Sequence, residues 1–381
     1  MSVRGDQLRL ATRGSDLARW QAALIKEQLS QRRLSVELVE VETTGDQIQD
    51  ELIHQLGTTG AFVRSLDQKV LDGDVDGAVH SMKDMPTDQP DDLVVAGIPE
   101  RAAAGDVLVT PDGTKLENLP AGATIGTSSL RRGAQILAER PDLAIEPLRG
   151  NVDTRVEKLL APSLQREHEA RLEVEETDMS QYKSADNEEQ TPEEAIEDSA
   201  YDQTAEAWFD GLTEIERQAL GREVETEYDA ICLAEAGLER SGLLEKIEYQ
   251  RLDPNRIVPA PAQGAIAVTA LDGETAEKIN EVVDHPPTRV ETTVERTILS
   301  ELGGGCVAPV GISARLQGEV VTTAVRVLSQ DGTEEVRGTR ELAVGKHVDA
   351  ARDFAAHLAE QGASELIEQA RREKPDDAKR A

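Results

Sequence analysis

The residues best equipped for chemistry stand in turns that follow short, β-rich apolar runs. The run VDGAVHS (75–81) leads into Met82, Lys83, Asp84, Met85 and Pro86. A lysine and an aspartate side by side at a strand end, fixed by a following proline, can present both charges to a cleft. Asp84 is therefore the chain's best general acid or base, or stabiliser of a cation. A solvated turn carboxylate is the plain alternative. His80, just before the pair, reads as a structural hydrogen-bonder. The two cysteines differ in setting. Cys232 lies inside the apolar run YDAICLA and reads as a small core residue. Cys306 follows three glycines in LGGGCVAP, a loop that allows close backbone approach and leaves a thiol available for covalent chemistry, unless the loop is a simple connector.

Four turns carry hydroxyls or arginines. ATRGS holds Arg13 and Ser15; GTSSLRR holds Thr127, Ser128, Ser129, Arg131 and Arg132; RGNVDTR holds Arg149 and Arg155, with Asn151 a helix N-cap; AGLER ends on Arg240. Helix N-termini add backbone N–H donors, and guanidinium groups grip carboxylates through paired hydrogen bonds. Any one of these arginines is as readily explained by surface ion pairing. As a set, in a chain otherwise strongly acidic, they point to a ligand with several carboxylates or phosphates. The sequence has no Walker or dinucleotide fingerprint, which disfavours a nucleotide.

These turns need a scaffold. At 381 residues the chain is long enough for two or three domains. Strand-like runs at 8–12, 36–42, 75–81, 123–128, 143–148 and 228–234 alternate with helical patterns, which predicts mostly parallel sheets flanked by helices. Beyond about residue 285 a helix, three strand-like segments (310–316, 319–328 and 334–343) and one final helix (348–370) predict a small α+β domain. Residues 161–226, with 20 acidic and 5 basic side chains and no strand pattern, read as an inserted loop, part of which (164–176) could form polar helix, too poor in apolar residues to bury a core of its own.

Composition narrows the function classes. There are 74 acidic residues against 41 basic ones, for a formal charge of −33, and only 11 of the basic residues are lysine. That excess argues against duplex nucleic acid as a partner and suits the cytoplasm of a halophile. Two cysteines exclude a disulfide framework and a Cys-rich metal site. Neither a signal peptide nor an apolar stretch of membrane-spanning length is present, so a cytoplasmic protein away from membranes is expected.

ATRGSDLARWQ, GDVDGAVHSMKDMP, IGTSSLRRGAQ, RGNVDTRVEKL, YDAICLAEAGLER, PAPAQGAIAV and ELGGGCVAPVG, in this order, resemble the signature segments of the porphobilinogen deaminase family. The resemblance implies an α/β fold: two lobes similar to those of periplasmic binding proteins plus a small C-terminal α+β domain. The first lobe would take residues 1–99 with 262–284, the second 100–261 and the third domain 285–381. It also implies head-to-tail condensation of four porphobilinogen molecules, with loss of ammonia, by a monomer that uses no metal. Its dipyrromethane cofactor would be joined to Cys306 by a thioether. Asp84 matches the catalytic aspartate. Lys83, Ser129, Arg131 and Arg132 match cofactor-binding positions, and Arg13, Ser15, Thr127, Arg149, Arg155 and Arg240 match substrate-binding ones. Two features depart from the family: residues 55–62 (QLGTTGAF) carry no lysine, and 161–226 is inserted. The rival is a non-catalytic two-lobed binding protein for a polycarboxylate, which would be secreted and have no use for Cys306.

Repulsion at a charge of −33 makes stability salt-dependent. The melting temperature should climb between low and molar KCl, because the Debye length shrinks to ~3 Å at 1 M. A melting curve indifferent to KCl contradicts salt adaptation.

Overall fold

The structure, a computed structural model, describes residues 7–41, 61–184, 201, 203–305 and 308–372, the side chains of 61, 62, 64 and 178–184 excepted. It begins with β1 (Gln7–Thr12), α1 (Asp16–Gln31), β2 (Ser35–Glu40), α2 (Ala61–Leu71), β3 (Gly77–Ser81) and β4 (Leu93–Gly97). A second group follows: β5 (Asp106–Val109), β6 (Thr124–Gly126), α3 (Leu130–Glu139), β7 (Ala144–Glu146), α4 (Val152–Ser184), α5 (Ala205–Gly211), α6 (Glu214–Leu220), β8 (Ala230–Ala234), α7 (Glu235–Arg240) and β9 (Tyr249–Arg251). The remainder is β10 (Ile266–Leu271), α8 (Glu274–Val283), α9 (Pro286–Glu301), β11 (Val310–Gln317), β12 (Val320–Leu328), β13 (Glu335–Ala343), α10 (His347–Glu360) and α11 (Ala363–Arg372).

Two five-stranded sheets share one plan, with strand orders β2-β1-β3-β10-β4 and β7-β6-β8-β5-β9. In each, three strands run parallel while the fourth, β10 or β5, runs against its neighbours. The sheets are thus mixed rather than mostly parallel. The reason lies in the chain path: β5 enters the second sheet from the first, and β10 returns the other way. Every candidate turn except the cysteine loop follows β1, β3, β6, β7 or β8 at its carboxyl end, where open α/β sheets bind ligands.

The third sheet, β11-β12-β13, is antiparallel throughout. It packs on α9, α10 and α11 through Val294, Ile298, Ile312, Val325, Phe354, Leu358 and Ile367. The single final helix expected from sequence is two helices, broken where Gly362 adopts φ of 99°. No helix among the described residues is long and apolar enough to cross a membrane.

The acidic segment is helical over the expected 164–176 and beyond, and differs from the expected coreless loop. Helix α4 runs on through Pro162, and α5 and α6 bring the chain back. Leu164, Trp208, Leu212 and Ala219 form a small apolar core of their own, joined to the lobe by Leu160. His168 stacks on Trp208, and the Arg171 guanidinium lies over the Tyr201 ring at 4.2 Å and the Trp208 ring at 5.2 Å. Counting apolar residues underrated the segment, because a few large ones gathered on facing helices suffice. Its ends meet: Arg166 pairs with Glu227 at 2.8 Å.

The sheets are fastened together at a buried carboxylate. Glu295 of α9 is 0% exposed; its two oxygens accept from Arg101 at 2.9 and 3.0 Å, from the Ala262 amide at 2.6 Å and from the Ala314 amide at 2.8 Å. Arg101 and Ala262 belong to the two segments that cross between the lobes, and Ala314 belongs to β11. Glu295→Ala should lower unfolding free energy by about 3–5 kcal/mol, since it strands a buried guanidinium and two amides. Urea denaturation in molar KCl measures this, and a loss below about 1 kcal/mol would show the junction to be dispensable.

Candidate active site

The acid turn is built by alternation between core and cleft. Met82 and Met85 are buried in a cluster with Val63, Ile98, Ala262, Ala265 and Ala267. The Met82 amide donates to Ala265 O at 3.0 Å, and that of Met85 closes a short 3-10 turn on Met82 O at 3.2 Å. Lys83 is left half-buried and Asp84 exposed. The Lys83 ammonium is held below its ordinary pKa by burial; Arg132 and Arg131 add to this, while Asp84 and Asp106 oppose it. A turn of the first sheet thus shares an electrostatic neighbourhood with α3 of the second. His80 is structural: its Nε2 meets Asp67 Oδ1 at 2.9 Å and Thr269 Oγ1 at 3.1 Å, all three buried.

Hydroxyls fix the anion turns. Ser15 caps α1, accepting from the Ala18 amide at 3.4 Å. Thr127 is buried and accepts from the Ser129 amide at 3.2 Å; Ser129 in turn caps α3, accepting from the Arg132 amide at 3.4 Å. Ser128 Oγ donates to Leu148 O at 2.7 Å and accepts from the Leu148 amide at 3.1 Å, which ties the β6 turn to the turn after β7. In that second turn Gly150 takes φ of 115°, where a Cβ would strike the Thr154 side chain. Arg155 Nε donates to Gly150 O at 2.8 Å. Its guanidinium is pushed down to about 10 by burial, with Arg132 and Arg149 adding to the effect and Asp84 opposing it. Asp84, Arg132 and Arg149 are accordingly within electrostatic reach of Arg155, although the four come from three separate turns.

Arg131 and Arg132 sit differently from the ligand-facing groups read in the sequence. They are 3% and 6% exposed, and both reach Asp106: Arg131 Nη1 to Oδ2 at 2.6 Å and Arg132 Nε to Oδ1 at 2.9 Å. Arg131 also donates to Val258 O, and Arg132 to Cys232 O and Gln263 Oε1. Burial works against ionisation of Asp106, but the two arginines beside it outweigh that and hold its carboxyl far below the usual range. Arg131 Nε is buried without a hydrogen-bond partner. Cys232 behaves as the sequence suggests: it is fully buried, with its thiol pushed up to about 12 by that burial.

Arg240 ends α7 and reaches the first lobe. Nη2 donates to Gly264 O at 2.6 Å, the guanidinium carbon stands 5.5 Å from the Trp20 ring centroid on α1, and Nε is buried without a partner. Burial lowers its pKa, with Glu239 opposing. Arg13 and Arg149 are half-buried at their turns. Cys306 lies outside the described residues, as do residues 55–60 of the lysine-free stretch. Just before the cysteine, Gly304 packs so tightly on Leu299 that a Cβ would collide with it, and Arg371 of α11 donates to Gly303 O.

Sequence reasoning missed Asp106, Gln263, Arg101, Glu295 and Arg296. A lone acid opening the apolar run DVLV was the available signal for Asp106; Gln263 stood unassigned inside PAPAQGA. No cluster of three or more His, Cys, Asp or Glu that could hold a metal occurs among the described residues. The arrangement can hold several carboxylates around one acid.

Comparison with known proteins agrees with this chemistry. The family described as "Porphobilinogen deaminase, dipyromethane cofactor binding domain" matches residues 8–170 and 216–279, and "Porphobilinogen deaminase, C-terminal domain" matches residues 290–362. A protein named "Probable porphobilinogen deaminase" in Halobacterium salinarum is 50% identical, over 96% of this chain and 99% of that one. "Porphobilinogen deaminase" of Exiguobacterium sp. is 34% identical, over 94% of this chain and 97% of that one. Matched over both lobes and the third domain, the chain belongs to the porphobilinogen deaminase family, enzymes that join four porphobilinogen molecules into hydroxymethylbilane on a dipyrromethane cofactor.

Proposed function

We propose that Asp84 is the acid–base group of this condensation and that the surrounding cations hold the carboxylates of substrate and cofactor. One observation carries the reading: Asp84 stands exposed at the end of β3, within electrostatic reach of Lys83 on its own lobe and Arg155 on the other. Porphobilinogen must lose its amine. From the protonated amine the C–N bond breaks with its electron pair going to nitrogen, ammonia departs, and a methylene cation conjugated with the pyrrole nitrogen is left behind. A carboxylate at Asp84 stabilises that cation and takes up or returns the proton.

The pocket fits a polyanionic cofactor. Arg131 and Arg240 each keep a buried Nε without a partner, and Arg155 is depressed by burial first and by Arg132 and Arg149 next, a penalty that incoming carboxylates relieve. Lys83, Ser129, Arg131 and Arg132 would hold the dipyrromethane, with Cys306 as its thioether anchor; Arg131 and Arg132 would contribute mainly through charge, given their pairing with Asp106. Arg13, Ser15, Thr127, Arg149, Arg155 and Arg240 would hold the substrate. When bound, the dipyrromethane supplies a covalent primer that keeps the growing chain in the cleft. The lobe boundaries 1–99 with 262–284, 100–261 and 285–381, a monomeric state and cytoplasmic residence complete the reading. Salt adaptation is supported by the −33 charge and by the Halobacterium relative.

Asp84→Asn should leave the fold and the covalent adduct in place while single-turnover condensation slows at least ~100-fold. Near-normal turnover would remove Asp84 from the chemistry. Cys306→Ser should give folded protein whose intact mass lacks two pyrrole units, whereas Cys232→Ser should keep them. The opposite pattern would reverse the assignment of the two cysteines.

A further inference from the structure

We infer that Arg296 is a positioning residue that holds the Asp84 turn at its working height, an inference resting on the catalytic reading of Asp84 above. Arg296 belongs to α9, outside both lobe sheets. Its guanidinium donates to three main-chain carbonyls of the acid turn: Nη1 to Met82 O at 3.4 Å and to Met85 O at 3.1 Å, and Nη2 to Pro86 O at 2.6 Å. Pairing of β3 stops at Ser81, so these carbonyls have no ladder partner. Proline at 86 has no amide hydrogen with which to extend the 3-10 turn. A planar fork with fixed donor directions can bridge such carbonyls where an ammonium would serve only as a point charge.

The donor itself is well anchored. Glu295, the preceding residue, is clamped by Arg101, Ala262 and Ala314, so α9 offers Arg296 a fixed base against both crossing segments. From below, Met82 and Met85 are gripped by the apolar cluster. The turn is thereby held on two sides, by packing beneath and by Arg296 from the third domain, leaving Lys83 and Asp84 on the remaining side. Displacement of an acid by about 1 Å can cost ~100-fold in rate without weakening substrate binding. The three contacts that Arg296 makes to the acid turn are all to main chain, so through them it sets the position of Asp84.

The test compares Arg296→Gln, Arg296→Lys, Asp84→Asn and the Arg296→Gln/Asp84→Asn double variant as cofactor-loaded protein. Intact mass and melting temperature report loading and fold. The expected order of kcat is wild type, then Lys, then Gln, with a loss of ~10–100-fold for Gln and a KM for porphobilinogen within ~3-fold of normal. The double variant should be no slower than Asp84→Asn alone, within ~3-fold, because the two residues act through one group. Wild-type kcat in Arg296→Gln overturns the proposal, and so does full additivity in the double variant. So does a parallel loss of adduct and melting temperature in both arginine variants, which would mark a purely structural role. If only the Gln variant folds poorly, a lowered kcat in well-folded Arg296→Lys supports the proposal and an unchanged kcat overturns it. Failure of the Asp84 reading is seen separately, as normal turnover in Asp84→Asn.

Discussion

Two guanidinium groups, Arg131 and Arg132, must stay charged side by side with little water, and a single buried carboxylate makes this tolerable. Two like charges 4 Å apart repel by roughly 4 kcal/mol at the effective dielectric of a protein surface, and by more where water is excluded. Asp106, with its side chain 0% exposed, lies between Arg131 and Arg132 and neutralises part of that repulsion. It also fixes where the remaining cations can stand. Gln263 links this centre to the chain path: its Nε2 donates to Asp106 Oδ1 at 3.0 Å and to Ala104 O at 2.7 Å, so the segment returning to the first lobe is fastened to the segment leaving it. The cleft's electrostatics and its hinge therefore share one network.

That dependence explains what the sequence disclosed and what it hid. Local rules were enough for the turns, since a hydroxyl or arginine after a short apolar run marks the carboxyl end of a strand. Ser15 and Ser129 stand at the helix starts read there, where the structure shows them to be caps, and His80 and Cys232 are indeed buried structural residues. Long-range pairing was another matter. Nothing in DVLV or IAVTAL says that β5 and β10 run against their neighbours, because direction follows from the crossing between lobes. The commitment of Arg131 and Arg132 to Asp106, some 25 residues earlier in the chain, is likewise invisible to spacing. Gly362 looked like one more residue of a helix until its positive φ made it a break.

The acidic segment shows how charge and packing can be judged apart. The family match stops at residue 170 and resumes at 216, so the inserted part is narrower than the 161–226 stretch that acidic composition marks out. Ile215, next to that resumption, packs into the lobe core with Val156 and Leu159. Within the insertion, Arg171 is drawn over Trp208 and Tyr201 and pairs with Glu167 at 2.8 Å.

Bonds among the domains also differ enough in strength to say which boundary yields first. The third domain meets the lobes through buried charge: Glu295 with Arg101 at one junction, and Arg326 of β12 with Glu139 of α3 at another, where Gly332 lets the β12–β13 turn press onto the α3 backbone. Breaking a buried pair costs about 3–5 kcal/mol. Across the cleft, Arg240 donates to Gly264 O of the returning crossing segment and faces a Trp20 that is 42% exposed, a cation–π contact worth about 0.5–1 kcal/mol in such a setting. Movement that makes room for a lengthening pyrrole chain therefore costs least as separation of the two lobes around the pinned crossing segments, with the third domain and the acid turn carried along on α9.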